Sequence, residues 1–229
     1  MYNVIPGRNL TLGITLTFVS LFLFIPLAAF VLFAGGMGLE KFVAAATDWR
    51  NVHAYGVSFF CALAAGLINA LFGLIIAWVL VRYEFRGKKI MDAMIDLPFA
   101  LPTAVAGIAL TTLYAQNGPL GQFFYSAGIE SAFSPMGITI ALIFVGIPFV
   151  ARSVQPVLKD LDPQLEEAAN LFGAGSWTIF RRVIFPELLP PLLTGFALAF
   201  ARGIGEYGSV VFIAGNMPYE TEIAPLMKS

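Results

Sequence analysis

Long apolar runs separated by short polar segments dominate the sequence. Five such runs are the candidate membrane spans, at residues about 10–34, 54–81, 97–115, 135–151 and 191–215. Each approaches or exceeds the roughly 20 residues that a helix needs to cross the hydrocarbon core of a bilayer. The pattern predicts an all-α, polytopic membrane protein in which residues 1–229 form a single transmembrane domain with five spans.

The longest polar interruption, residues 159–190, predicts a helix, an elbow and a second helix in water. Apolar residues lie at positions i, i+3, i+4 and i+7 of its first helix, and polar residues fill the opposite face. The apolar set is Leu165, Ala168, Ala169 and Phe172, and the polar set is Gln164, Glu166, Glu167 and Asn170. Asp162 is placed to cap this helix, Pro163 to begin it and Gly173 to end it. The second helix is expected from Trp177 to Phe185, ending before Pro186.

The third apolar run begins with two prolines four residues apart, Pro98 and Pro102, followed by Thr103. Proline donates no backbone hydrogen bond, so this helix is expected to be bent or broken near its start. Freed carbonyls at membrane depth are tolerated only against protein or a watery cavity. The segment is therefore a candidate lining for a transport path, with a proline kink of no transport role as the alternative.

Composition agrees with a bilayer environment. Hydrophobic residues make up 59% of the chain and charged residues 12%, with a mean hydropathy of +0.83. Roughly a quarter of the residues of a soluble protein are charged. A net charge of −1 and dispersed basic residues give no case for nucleic acid. The single cysteine, Cys61, excludes an internal disulfide, and the lone His53 is expected at a membrane interface rather than at a metal site.

The basic residues predict the orientation of the chain. Nine fall on one side of the predicted membrane: Arg8, Arg82, Arg86, Lys88, Lys89, Arg152, Lys159, Arg181 and Arg182. Three fall on the other: Lys41, Arg50 and Lys228. Cytoplasmic loops carry the excess of lysine and arginine. The N-terminus and the 159–190 segment are therefore predicted to be cytoplasmic, and five spans would place the C-terminus outside.

Arg202 and Glu206 are the charged residues of the fifth run and lie four positions apart, which predicts one helical face. Each would cost about 2.5 to 3.5 kcal/mol at the bilayer centre, so neither is expected to face lipid. Arg202 could belong to an anion path, held by Glu206. The alternative, which we favour at this point, is a buried structural pair.

No catalytic constellation is apparent. Gly203, Gly205 and Gly208 match a dinucleotide fingerprint, but no strand precedes them and they lie in an apolar run. A phosphate-binding P-loop at residues 82–89 is excluded because position 82 is arginine. The chain is expected to hydrolyse no ATP, to be no enzyme and to need no metal or cofactor of its own.

The polar segment resembles the EAA loop of bacterial ABC importer permeases. Glu167, Ala168, Ala169, Gly173 and Pro186 match that motif, with Val183 and Phe185 as conservative departures. In that family the loop is the coupling helix that docks into a separate cytoplasmic ATPase subunit. The resemblance implies an ATPase-coupling role for these five residues, whereas a surface amphipathic helix at a membrane edge is the alternative.

Segments 97–107, 147–156 and 200–216 are similar to the T-type subunit of sulfate/thiosulfate permeases. The resemblance implies a type I ABC importer permease fold in the bacterial inner membrane. It also implies import of sulfate or thiosulfate with a homologous W-type permease, an ATPase dimer that binds the ATP, and a periplasmic binding protein. Permeases of this family usually have a sixth helix, which we expect to be missing here. A molybdate-type oxyanion permease and a membrane scaffold or channel without ATP coupling are the alternatives.

Overall fold

The computed structural model describes residues 7–227 and contains helices and no strand within that range. Lys228, one of the basic residues counted above, lies outside the described residues. The chain divides into two compact units, Met1–Val52 and His53–Ser229. Whether residues 1–229 form one transmembrane domain therefore stays a prediction, whereas the all-α fold class is confirmed.

The first unit contains α1 (Arg8–Val19), α2 (Ile25–Gly35) and α3 (Leu39–Thr47). A π-helical turn, Ser20–Phe24, joins α1 to α2 without a break. Pro26 is the second residue of α2 and therefore lies just after the π turn. A proline ring clashes with the carbonyl four residues earlier, and the wider π turn moves that carbonyl away.

The second unit holds the remaining helices, the first of which begins just before it. They are α4 (Trp49–Arg82), α5 (Lys88–Ile95), α6 (Leu97–Ala100), α7 (Thr103–Tyr114), α8 (Gly121–Ser126), α9 (Pro135–Asp160), α10 (Pro163–Leu171), α11 (Ser176–Ile179), α12 (Phe185–Ile204) and α13 (Val210–Ile213). A second π turn, Phe180–Ile184, joins α11 to α12. A short 3₁₀ turn, Ala224–Leu226, follows α13.

Four continuous helices of the described residues are long and apolar enough to cross a membrane: Asn9–Gly35, Trp49–Arg82, Pro135–Asp160 and Ser176–Ile204. The third predicted run is instead the short α6, an interruption and the apolar α7. The prediction of a broken helix at Pro98 and Pro102 is therefore confirmed. The count of five spans stays a prediction.

The bounds predicted for the fifth run, 191–215, are wrong for the helix at both ends. The helix begins at Ser176, passes through Pro186 and ends at Ile204. The prediction that the second elbow helix ends before Pro186 was therefore also wrong. The Phe180–Ile184 π turn explains the continuity through Pro186, because it accommodates this proline in the same way as the first π turn accommodates Pro26.

The core of the second unit is a close contact of α4, α9 and α12 through small residues. A Cβ atom on Gly195 of α12 would lie 2.7 Å from the Cα of Val150 in α9, and one on Gly73 of α4 would lie 2.7 Å from the Cβ of Val150. A Cβ atom on Gly203 of α12 would lie 3.3 Å from the Cβ of Ala62 in α4. Small residues at helix interfaces let backbones approach closely in apolar surroundings. These three helices carry the site described below.

We expect Gly195→Ala to lower the free energy of unfolding by about 1–3 kcal/mol, because the added methyl group meets the α9 backbone rather than a movable side chain. Thermal unfolding of the detergent-solubilised protein measures this effect. Gly56→Ala is the matched control, since its Cβ meets no atom within 4 Å. Equal melting temperatures for the two variants would contradict this packing.

Candidate functional site

The 159–190 segment folds as the predicted helix-elbow-helix. The Asp162 carboxylate caps α10 by accepting a hydrogen bond from the Gln164 amide at 2.9 Å, and Pro163 is the first helical residue. Gly173 follows α10 in the left-handed conformation, with φ of +79°, which favours glycine. The Gly173 and Ala174 amides then donate to the carbonyls of Asn170 and Ala169. These bonds fix the elbow before α11 begins.

The tip of the elbow presents large apolar side chains to the exterior. Leu171 is 89% exposed and Phe172 is 92% exposed, and Leu165 and Trp177 are also exposed. Exposed apolar patches of this kind mark protein or membrane interaction sites. The elbow therefore carries an exposed apolar patch of the kind found at protein or membrane contacts.

The two adjacent glutamates of α10 point in different directions. Glu167 is exposed, whereas Glu166 is half-buried and accepts a hydrogen bond from Nη2 of Arg82 at the end of α4. Ala169, one turn from Glu166, packs against the buried core beside it. The sequence pattern placed both glutamates on one polar face and so missed the inward role of Glu166.

Arg202 and Glu206 do form an ion pair, with 2.5 Å between Nη1 and Oε2. The prediction that both lie on one helical face was wrong, because α12 ends at Ile204 and Glu206 lies in the following loop. Glu206 is 1% exposed, and its Oε1 accepts hydrogen bonds from the amide and hydroxyl of Ser209, each at 2.9 Å. The Arg202 side chain is 38% exposed. Glu206 thus stabilises the loop and holds Arg202, whose side chain stays partly accessible.

The interruption between α6 and α7 lies beside the loop that follows α12. A side chain on Gly208 would collide with the hydroxyl of Thr103, the first residue of α7. A Cβ on Gly107 would lie 2.5 Å from the carbonyl oxygen of Ser209. Thr103 is therefore brought to the loop of Arg202 and Glu206. Pro102 is exposed, and Pro98 is buried in α6, whose neighbour Phe99 packs on Phe149 of α9 at 5.2 Å.

A further polar cluster, which the sequence did not reveal, ties α5 and α6 to α9. Arg152 of α9 donates to the Asp96 carboxylate at 2.9 and 2.6 Å, to the Asp92 carboxylate at 2.6 Å and to Gln155 at 2.6 Å. The hydrogen bond from Arg152 holds the pKa of the Asp92 carboxyl below its usual range, against the opposing effect of burial. Arg152 thereby fixes the start of the broken segment.

The chain was compared with known protein families. Residues 69–224, more than half of the chain, match the model of the family described as "Binding-protein-dependent transport system inner membrane component". The match includes the elbow, the broken α6–α7 segment and the loop after α12.

The chain belongs to this family of inner membrane transport components.

Similar proteins of this permease family include sulfate transport system permease proteins CysT. The protein from Synechocystis sp. is 51% identical over 214 residues, which are 93% of this chain and 75% of the relative. The protein from Escherichia coli (strain K12) is 46% identical over 225 residues, which are 98% of this chain and 81% of the relative. A probable CysT protein from Chlorokybus atmophyticus is 50% identical, with 93% and 75% of the two chains covered. The predicted resemblance to the T-type sulfate permeases is confirmed.

Within this permease, the predicted site residues fall into two groups. Glu167, Ala168 and Gly173 are exposed on the elbow, Ala169 lies beneath it, and Pro186 is exposed in the first turn of α12. Arg202 and Glu206 pair at the end of α12 and Thr103 lies against Gly208 of the loop that follows, whereas Pro98 is buried in α6. The functional roles predicted for all of these residues stay predictions.

We expect Arg152→Gln to lower the free energy of unfolding of this permease by about 1 kcal/mol at neutral pH. The value is small because the Asp92 and Asp96 carboxylates are half-exposed and solvent screens their ion pairs with Arg152. The pKa of Asp92 is lowered in the folded chain, so its ionised carboxylate adds to the free energy of unfolding at pH values above the ordinary carboxyl range. This stabilisation is lost as the pH falls through the folded pKa. Thermal unfolding between neutral and acidic pH measures the gap between variant and parent, which should narrow towards acid. Arg86→Gln, on an exposed side chain, is the matched control, and a gap independent of pH would contradict the assignment.

Proposed function

We propose that this chain is the membrane-spanning permease subunit of an ATP-driven importer that moves sulfate or thiosulfate across the bacterial cytoplasmic membrane. The observation that carries the proposal is the exposed helix-elbow-helix at residues 159–190 in a chain whose relatives are named sulfate permeases. ATP would be bound and hydrolysed by a separate ATPase dimer. A homologous W-type permease and a periplasmic binding protein for the anion would complete the assembly.

The elbow supports the coupling part of this proposal by its shape and chemistry. Its apolar tip is exposed, its bend is fixed by backbone hydrogen bonds, and Arg181 and Arg182 lie exposed beside it. The nine-to-three bias of basic residues predicts that this side faces the cytoplasm, with the N-terminus. When the ATPase pair closes on ATP, the docked elbows would move with it and switch the access of the path.

We expect Gly173→Ala to weaken association with the ATPase subunit by about 5- to 30-fold, because a left-handed backbone costs about 1–2 kcal/mol with a side chain. Co-purification with quantified subunits measures the loss. Gly175→Ala is the matched control, since Gly175 has φ of −72° and its Cβ meets no atom within 4 Å. Equal association of both variants, or of Glu167→Arg with the parent, would contradict the coupling role.

The anion path is proposed at the two interrupted helices. An oxyanion in apolar surroundings requires donors and positive charge. Arg202 is partly exposed and held in place by the buried Glu206, and Thr103 begins α7 beside the same loop. Interrupted helices that face each other at membrane depth build the ion and substrate sites of other transporters.

We expect Arg202→Gln to lower uptake of labelled sulfate at least about tenfold in the assembled importer, because a hydrogen bond to a charged group contributes about 1.5–3 kcal/mol. Excess thiosulfate should compete with this uptake, whereas molybdate should not. Competition by molybdate alone would favour the molybdate-type alternative.

The double variant Arg202→Gln/Glu206→Gln separates an anion contact from a structural ion pair. It removes the unpaired buried carboxylate that the single variant leaves and keeps an amide that can bond to Ser209. If its uptake returns to the parent value, Arg202 acts only as the partner of Glu206. If uptake stays low while assembly is normal, Arg202 serves the path.

A further inference from the structure

The ion pair between Arg82 and Glu166 lies at the junction of the membrane helices and the elbow. Arg82 is the last residue of α4, and Glu166 lies in the first turn of α10, 84 positions later. Their side chains are 27% and 26% exposed, so water only partly screens the pair. The pair connects the elbow to α4, a helix that does not adjoin the elbow in sequence.

The same arginine lies over an aromatic ring that reaches the other side of the elbow. The Arg82 guanidinium carbon is 5.3 Å from the centroid of the Trp78 ring, one turn earlier in α4. Trp78 packs edge-to-face on Phe180 with centroids 5.4 Å apart. Phe180 stacks on Trp177 of α11 and begins the π turn that leads into α12. The last turn of α4 therefore contacts both helices of the elbow.

This turn of α4 is itself anchored in the protein interior. Ala77 and Leu80 are buried, and Ala77 belongs to the core cluster that includes Ile184 of the π turn and Leu188 of α12. A displacement of α10 must therefore either carry the end of α4 with it or separate Arg82 from Glu166.

We propose that Arg82, Trp78 and Glu166 form a latch that passes movement of the elbow to α4. This route would act beside the covalent connections of the elbow to α9 and α12. The inference rests on the proposed function of the elbow as the coupling element. The three residues are positioning residues, because none of them is placed at the ATPase surface or in the anion path.

The adjacent glutamates, Glu166 and Glu167, are placed for two different tasks, transmission of movement and docking of the ATPase. Glu167 is exposed on the outer side of α10 and is available to a docked subunit, whereas Glu166 is engaged on the inner side. Substitutions at these neighbouring positions should therefore have separable effects. Glu167→Arg is expected to reduce association with the ATPase, and Glu166→Gln is expected to reduce transmission after association.

The test uses the full importer in proteoliposomes, with ATP hydrolysis measured with and without sulfate-loaded binding protein, and sulfate uptake measured in parallel. Glu166→Gln and Arg82→Gln should keep the parent amount of bound ATPase and the unstimulated hydrolysis rate. Stimulated hydrolysis and uptake should each fall at least about fivefold, the lower end of coupling between distant sites. Arg82→Gln/Glu166→Gln should be no worse than either single variant, because both remove one interaction. Arg82→Glu/Glu166→Arg should recover part of the loss, which a merely destabilised loop would not do.

Glu84→Gln is the matched control, since it makes the same charge change near the same turn at an 88% exposed side chain that pairs with Lys88. It should leave all readouts at parent values. Parent-like stimulation and uptake in Glu166→Gln, or losses that multiply in the double variant, would overturn the latch while the coupling function stands. Failure of the unsubstituted chain to bind the ATPase would instead overturn the proposed function, and the latch with it.

Discussion

An interrupted helix in an apolar segment leaves backbone donors and acceptors that only the protein can satisfy, and this constraint organises the second unit. The interruption at Leu101–Pro102 and the loop after Ile204 lie side by side, with Gly107 and Gly208 allowing the two backbones to approach. The buried Glu206 carboxylate accepts both the amide and the hydroxyl of Ser209. The carboxylate thus satisfies two donors of the loop that follows α12.

The small residues of α4, α9 and α12 set the distance at which those interruptions meet. Gly195 and Gly73 both lie against Val150, so α9 is held between its two neighbours. Charged contacts appear at the ends of this core: Arg152 holds α5 and α6, and Arg82 holds α10. These arginines add charged contacts to the apolar packing that attaches the elbow and α5 to the core.

Much of this architecture could be predicted from local pattern. The capped α10, the left-handed Gly173 and the break at Pro98 and Pro102 each depend on residues within a few positions of one another. The continuity of the chain through Pro186 was not predicted, although the same arrangement of a π turn before a proline occurs at Pro26. The pairs Arg82–Glu166 and Arg152–Asp92 join residues 84 and 60 positions apart, and no spacing rule connects them. Their partners are chosen by helix packing, which a single sequence does not display.

The ion pairs Arg82–Glu166 and Arg202–Glu206 differ in burial, and the difference bears on how each would act in the proposed function. Glu206 is fully buried and uses both oxygens, so separating it from Arg202 would leave a charge uncompensated in apolar surroundings. Such a pair suits a part of the protein that keeps its arrangement. Glu166 and Arg82 are each about a quarter exposed, and water can take over their hydrogen bonds if they separate. In the proposed function, a contact between a moving elbow and a membrane helix would need this lower cost of rearrangement, whereas the buried Glu206 would keep Arg202 in a fixed position.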